Sequence, residues 1–181
     1  MMRMIVGDDE LAMQAAGGDG AAFALLLERH YDRLFALCYR LTGARAEAED
    51  LTQDICAALP VKLTLYRGQA RVTTWLYRVA VNAAHDRRRR RQTYVRASDG
   101  WGDWEIAREA AVAEERERLD WLTTAMRRLP DDLRDTLALV LDELTHAEVG
   151  EVLGISEGTV SWRISEAKKR LRAIRAGEGE A

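Results

Sequence analysis

The chain has 181 residues, of which 48% are hydrophobic and 31% charged, with a formal net charge of -3. This length permits one domain or two small ones, and the composition excludes an intrinsically disordered chain. No apolar run approaches the about 20 residues that a membrane-spanning helix needs. The amino terminus turns acidic at Asp8 after a short apolar stretch, which argues against a signal peptide. We therefore expect a cytoplasmic protein with no membrane insertion.

Helix is the secondary structure predicted for nearly the whole chain. The sequence has two prolines, is rich in Ala, Leu, Glu and Arg, and lacks an alternating strand pattern, so we predict an all-α fold. The first helix is predicted from about Gly20 to Leu41, with Gly43 as its stop. A second begins near Ala44 and should end or kink at Pro60, because proline lacks the amide donor and clashes with the preceding turn.

The third predicted helix starts near Arg71 and runs into five consecutive arginines, residues 87–91. Periodicity is then lost over residues 92–104. We interpret this segment as a flexible linker that joins two small helical domains, residues 1–91 and residues 105–181.

The second domain is predicted to be helical from its first residues. A long helical pattern covers residues 105–129, and another begins at Pro130 and reaches about Asp142. Proline suits the first turn of a helix, and the acids that follow it, Asp131 and Asp132, suit the positive end of the helix dipole.

Residues 144–172 carry the most specific pattern in the chain. Thr145 and Glu148 form a capping box, which predicts a helix from His146. Gly154 then permits a sharp left-handed turn, and Ser156 caps a second helix. A short helix, a glycine turn and a helix sized for the major groove predict a helix-turn-helix. The second helix carries more cations than a favourable dipole needs, which indicates phosphate contact; they are Lys168, Lys169, Arg170, Arg172 and Arg175.

Sequence motifs for catalysis, metal binding or cofactor binding are missing. Cys38 and Cys56 lie in apolar helical patterns and are interpreted as small core residues. The three histidines are scattered, and no short Cys/His spacing indicates a metal site. We find no nucleophile beside a base and no phosphate-binding loop. The prediction is a protein that is not an enzyme and needs no metal or cofactor.

The third helix combines positive charge with one amide. Arg78, Asn82, His85 and Arg89 are spaced by four, three and four residues, so they form one stripe, the basic stripe, that could follow a nucleic-acid strand. Tyr66, in the loop just upstream, could stack on an unpaired base. The alternative interpretation makes the cations a solvated helix end and Tyr66 a lid on the core.

The second helix has the opposite character. Glu47, Asp50 and Asp54 form a stripe of their own, here called the acidic strip, with Glu49 and Gln53 beside it. An acidic surface repels nucleic acid. It is either a solvated face or a docking surface for a basic helix of another protein.

With these motifs together, the chain resembles bacterial RNA polymerase sigma factors of the extracytoplasmic-function (ECF) subgroup of the sigma-70 family. "RLTGARAEAEDLTQDI" resembles the element that grips the β′ clamp helices of polymerase. "YRGQA" and "TWLYRVAVNAAHD" resemble the element that opens and reads the minus-ten promoter element. Residues 129–172 resemble the domain that binds the β flap and reads the minus-thirty-five element. All three occur in the family order.

The resemblance implies a role for each matching residue. The polymerase-binding residues are Glu47, Asp50, Gln53 and Asp54. The minus-ten residues are Tyr66, Arg67, Arg78, Asn82, His85 and Arg89, and among them Tyr66 and Asn82 are implied to capture a flipped base. The minus-thirty-five residues are Thr159, Ser161, Trp162, Arg163, Ser165, Glu166 and Lys169. The implied partners are core RNA polymerase, promoter DNA and an anti-sigma factor, with the chain a monomer when free or a heterodimer with its inhibitor.

The chain departs from the family pattern at positions expected to face the groove. Ser161, Trp162, Ser165 and Glu166 stand where the family often has basic, small or aromatic residues, which implies an unusual minus-thirty-five preference. Val72 stands where an aromatic is common, a change that packing should absorb. Two alternatives stay open: a stand-alone helix-turn-helix regulator, and a sigma-like decoy that binds an anti-sigma factor.

Overall fold

A computed structural model describes residues 6–97, here the amino-terminal half, and residues 120–178, the carboxy-terminal half. Within these ranges the chain is helical and contains no strand, as predicted. The helices are α1 (Asp8–Ala16), α2 (Gly20–Thr42), α3 (Arg45–Leu63), α4 (Val72–Ala97), α5 (Asp120–Arg127), α6 (Asp131–Val140), α7 (His146–Leu153) and α8 (Glu157–Glu178).

Helix α1 was not predicted, because nine residues are too few to establish an apolar period. Its first turn carries three acids, which suit the positive end of a helix dipole. The carboxylate of Asp8 accepts a hydrogen bond from Arg29 at 2.7 Å and lies 2.9 Å from Nε2 of His30. With Leu11 and Ala12 buried, α1 closes one side of the amino-terminal core.

The predicted boundary at Gly43 is confirmed, whereas α3 does not end at Pro60. Gly43 takes the left-handed conformation, with φ of 74°, and ends α2. Helix α3 continues past Pro60 to Leu63. The buried side chains Leu59 and Leu63 lie on the core side of this last turn, so their packing favours helix across the proline.

Helix α4 is longer than predicted. It continues to Ala97, six residues into the segment interpreted as linker. At the start of this extension Arg91 contacts Glu47 at 2.5 Å, and the hydroxyl of Thr93 donates to the carbonyl of Arg89. The rest of the predicted linker and the helical pattern over 105–119 lie outside the described residues.

The helix-turn-helix forms as predicted. Thr145 and Glu148 make the reciprocal hydrogen bonds of a capping box, and Gly154 ends α7 in the left-handed conformation with φ of 67°. Ser156 accepts a hydrogen bond from the amide of Thr159 at 3.2 Å and so caps α8.

Gly150 permits a close approach between α7 and the turn that follows it. A Cβ atom at Gly150 would lie 2.7 Å from the carbonyl oxygen of Ile155. Because that oxygen is backbone, only glycine fits here without moving the turn.

The two halves of the chain pack against each other. Helix α2 contacts α5 and α6, and α4 contacts α7. Apolar residues of both halves belong to one continuous buried cluster, which includes Leu41, Leu76 and Leu139. The packing places the face of α4 that carries the basic stripe beside the carboxy-terminal half.

Candidate nucleic-acid and polymerase interfaces

The acidic strip lies on the surface of α3. The side chains of Asp50 and Asp54 are 66% and 75% exposed, and Gln53 between them is exposed as well. Arg87 of α4 reaches both carboxylates, at 3.1 Å and 3.5 Å. Exposed ion pairs of this kind contribute only about 0–1 kcal/mol, so a partner with a basic helix could displace Arg87 at low cost.

Some arginines of residues 87–91 pair with carboxylates of the chain, and others stay exposed. Arg88 donates two hydrogen bonds, at 2.6 Å and 3.1 Å, to the carboxylate of Asp135 in the carboxy-terminal half. Arg91 contacts Glu47, the remaining member of the acidic strip. Arg89 stays largely exposed. Much of the positive charge at the end of α4 is therefore neutralised within the chain.

The basic stripe is split by the packing of the two halves. Asn82 is exposed on α4. Arg78 donates instead to the backbone carbonyl of Glu151 at 3.0 Å. Nε2 of His85 lies 2.6 Å from the carboxylate of Asp135, which is 2% exposed. In this conformation Arg78 and His85 are engaged by the carboxy-terminal half, and Asn82 and Arg89 remain open to a nucleic-acid strand.

Tyr66 is buried in this structure, as the interpretation that makes it a lid on the core expects. Tyr66 is 3% exposed, and its ring packs on Trp75 with centroids 5.5 Å apart. Its hydroxyl donates to the carbonyl of Ala70 at 2.8 Å. Burial, together with the nearby Asp9 carboxylate, raises the pKa of Tyr66 to about 12. Arg67, the next residue, is exposed.

Asp9 is a positioning residue that the sequence did not reveal. Its carboxylate accepts the backbone amide of Val72 at 2.6 Å and the hydroxyl of Tyr66 at 3.3 Å. It therefore caps the start of α4 and fixes the loop before it. Val72 is fully buried, in agreement with the expectation that packing absorbs this departure from the family pattern.

A second carboxylate, Asp142 at the end of α6, ties the two halves together. It accepts hydrogen bonds from Arg40 at 2.5 Å and from Arg33 at 3.4 Å, both on α2. It also accepts one from the hydroxyl of Tyr77 on α4. Burial, then the hydrogen bond to Asp142, raises the pKa of Tyr77 above its usual value.

The recognition helix α8 presents one exposed strip. Ser161, Ser165 and Lys169 follow one another at one-turn spacing, and Trp162 lies beside Ser161. Trp162 is 61% exposed. The other predicted minus-thirty-five residues are partly buried. Thr159 shares a hydrogen bond with Ser156, Glu166 accepts one from Arg170, and Arg163 lies 3.6 Å from the carboxylate of Asp132, which is an ion pair without a hydrogen bond. The hydrogen bond from Arg170 lowers the pKa of Glu166.

Clusters of metal ligands and membrane-spanning helices are missing from the part of the chain that the structure describes. Across residues 6–97 and 120–178, no three His, Cys, Asp or Glu side chains are grouped as metal ligands. Over the same two ranges, no helix is both long and apolar enough to cross a membrane.

Fold and surfaces together define an all-helical protein with a helix-turn-helix in its second half and an acidic strip in its first. The family model described as Sigma-70 region 2 matches residues 26–94, and that described as Sigma-70, region 4 matches residues 119–171. The chain belongs to the sigma-70 family of RNA polymerase sigma factors, in its ECF group.

Relatives in this group match over most of the chain. ECF RNA polymerase sigma factor SigW of Bacillus subtilis is 32% identical over 171 residues, which cover 88% of this chain and 91% of SigW. SigM of Mycobacterium tuberculosis is 34% identical over 173 residues, covering 92% and 84%. The solved structure of the sigma factor RpoE with the anti-sigma factor NepR from Bartonella quintana has a TM-score of 0.70 at 21% identity, covering 85% of this chain and 96% of RpoE.

Proposed function

We propose that this ECF sigma factor binds core RNA polymerase and directs it to specific promoters, with no catalysis of its own. The observation that carries the proposal is the presence, on one chain of this family, of an exposed acidic strip on α3 and an exposed recognition strip on α8. A repressor needs only the second of these surfaces. Because polymerase and promoter are its partners, the chain acts in the cytoplasm.

The acidic strip is the proposed polymerase contact. Asp50, Gln53 and Asp54 face solvent, and the pairs that Arg87 makes with the two carboxylates are weak enough to be exchanged for cations of the β′ clamp helices. Glu47 pairs more closely with Arg91 and is proposed to join the contact at the edge of the strip. The carboxy-terminal half is proposed to bind the β flap.

Promoter reading is divided between the two halves. Asn82, Arg67 and Arg89 are proposed to contact the minus-ten element in the conformation described here. Arg78 and His85 join them after the carboxy-terminal half leaves α4, which breaks their contacts with Glu151 and Asp135. The exposed strip of α8 is proposed to enter the major groove at the minus-thirty-five element, with Arg163, Thr159 and Glu166 at its border.

An anti-sigma factor is the proposed inhibitor. RpoE of Bartonella quintana, which shares this fold, was solved with the anti-sigma factor NepR. We propose that the present chain is a monomer when free and forms a heterodimer with such a partner.

Run-off transcription tests the proposal. Purified core polymerase is incubated with genomic fragments, with and without the chain. Discrete transcripts that depend on the chain are the expected result. If the chain were a stand-alone regulator, it would instead leave a footprint on DNA without polymerase. A decoy predicts binding to an anti-sigma factor and no transcripts in any reaction.

A further inference from the structure

Two aliphatic side chains project from the last turn of α3 and from the start of the loop that follows it. Val61 is 73% exposed and Leu65 is 71% exposed, the largest exposures among the large hydrophobic residues that the structure describes. The two are one helical turn apart, and the amide of Leu65 donates to the carbonyl of Lys62 at 3.1 Å, so the last turn stays wound. Val61 and Leu65, here the wedge pair, therefore share one face.

The loop after α3 holds the wedge pair outward. Tyr66 points into the core and is fixed there by the carbonyl of Ala70 and the carboxylate of Asp9. Its amide also donates to the carbonyl of Leu63 at 2.9 Å. Because Tyr66 is anchored inward, its neighbour Leu65 is kept in solvent.

The segment that carries the wedge pair has only basic charged side chains, and the nearby Asp9 carboxylate of α1 is taken up by Tyr66 and the amide of Val72. Residues 55–85 contain no Asp or Glu, whereas Lys62, Arg67 and Arg71 are basic and exposed. Surfaces that bind unpaired strands combine cations for the phosphates with apolar or aromatic side chains for the bases. Proteins that kink or open a duplex also insert apolar side chains between base steps.

We propose that the wedge pair inserts between bases where the promoter duplex opens, while Lys62 and Arg67 hold the backbone phosphates. The inference rests on the proposed function and deepens it, since it assigns the strand-separating contact to Val61 and Leu65 in place of the buried Tyr66. Tyr66 acts on the strand only through the position it gives to Leu65.

Opening kinetics test this assignment. The promoter found by run-off transcription carries 2-aminopurine in the minus-ten region, and its fluorescence reports opening by holoenzyme. The double variant Val61→Ser with Leu65→Ser should open the duplex at least about tenfold more slowly than wild type, because two apolar contacts that favour the opened state are lost. Leu25→Ser, at an exposed leucine of α2, is the control and should leave the rate unchanged.

A template with mismatches that pre-melt the minus-ten region completes the design. The wedge role requires that the double variant transcribe this template at the wild-type rate and bind core polymerase normally. Duplex opening at the wild-type rate would overturn the inference. So would weakened core binding, or a defect that persists on the pre-melted template, because either result makes the wedge pair a protein contact. Absence of transcripts with the wild-type chain would instead overturn the proposed function, and the inference with it.

Discussion

Nε2 of His85, a residue expected to touch DNA, lies 2.6 Å from a carboxylate oxygen of Asp135 in the other half of the same chain. The carboxylate is almost fully buried, and Arg88 binds it from the same helix as His85. The conformation therefore withholds part of the basic stripe from DNA. Under the proposed function, the halves separate before Arg78 and His85 are released from these contacts to meet a strand.

Asp142→Ala should loosen the contact between the two halves. The substitution removes an acceptor shared by Arg33, Arg40 and Tyr77, and leaves the donors of Arg40 and Tyr77, both at least partly buried, without it. Breaking a largely buried ion-pair network typically costs about 3–5 kcal/mol. We expect a larger radius of gyration by small-angle scattering and a lower melting temperature. Asp32→Ala, at an exposed aspartate of α2, is the matched control, and equal scattering curves for the two variants would contradict the prediction.

Charge reversal of the acidic strip should abolish binding to core polymerase. Asp50→Arg with Asp54→Arg replaces two exposed carboxylates by cations and also repels Arg87. Glu28→Arg with Asp32→Arg makes the same charge change at the same spacing on α2, where both acids are exposed, and should bind nearly as wild type does. Co-purification with core polymerase measures both. Normal binding by the strip variant would show that docking lies elsewhere.

Asn82→Ala should impair promoter opening without changing stability, whereas Tyr66→Phe should lower stability without changing promoter opening. Asn82 is exposed, so its loss should impair promoter opening and leave the melting temperature unchanged. Tyr66→Phe keeps the buried ring and loses a hydroxyl that donates to Ala70, which costs about 1 kcal/mol of folding stability. Its opening rate should stay close to that of wild type. An opening defect without a stability defect in Tyr66→Phe would restore a direct contact of this residue with DNA.

The ion pair at the start of α1 should give stability that depends on acid pH. Burial tends to raise the pKa of Asp8, but the hydrogen bonds and charges of Arg29 and His30 outweigh it, so the pKa is lowered from 3.8. The contribution is fully present above pH 3.8 and is lost as pH falls through the lower folded value. Because the carboxylate is partly exposed, it contributes less than about 1 kcal/mol. The free energies of unfolding in urea of wild type and Asp8→Asn should differ at pH 6 and become equal once the pH lies below the folded pKa of Asp8. A difference that stays constant with pH would exclude a contribution from this ion pair.

The two cysteines should react at very different rates. Burial raises the pKa of Cys38 to about 11, so at pH 8 its thiol is almost entirely protonated as well as covered. Cys56 is only partly buried. Mass spectrometry after treatment with iodoacetamide should find Cys56 modified first and Cys38 only in denaturant. Rapid modification of Cys38 in the native chain would contradict its place in the core.

Helix starts and turns could be predicted from the sequence because the residues that form each of them are close neighbours along the chain. Thr145 and Glu148 define their helix start over one turn, and Gly43 and Gly154 mark the turns that they make. The fold class and the recognition helix follow from signals of this kind.

Contacts between distant segments could not be read in this way. Asp9 and Val72 are 63 positions apart, and nothing in the local pattern of either residue indicates a hydrogen bond between them. Tyr66 lies in a loop, where no helical period shows which way a side chain points. The sequence also does not indicate that His85 of the basic stripe contacts Asp135, because the two residues are 50 positions apart.

The internal pairing of the cations on α4 also sets how the chain should respond to salt. An arginine that meets a phosphate usually releases a counterion, and each such contact steepens the fall of DNA affinity with salt concentration. Arg78 and Arg89, both proposed to contact DNA, already pair with Glu151 and Asp86, so their contact with DNA would exchange one anion for another. The salt dependence of promoter binding should therefore be shallower than the number of arginines at the interface suggests.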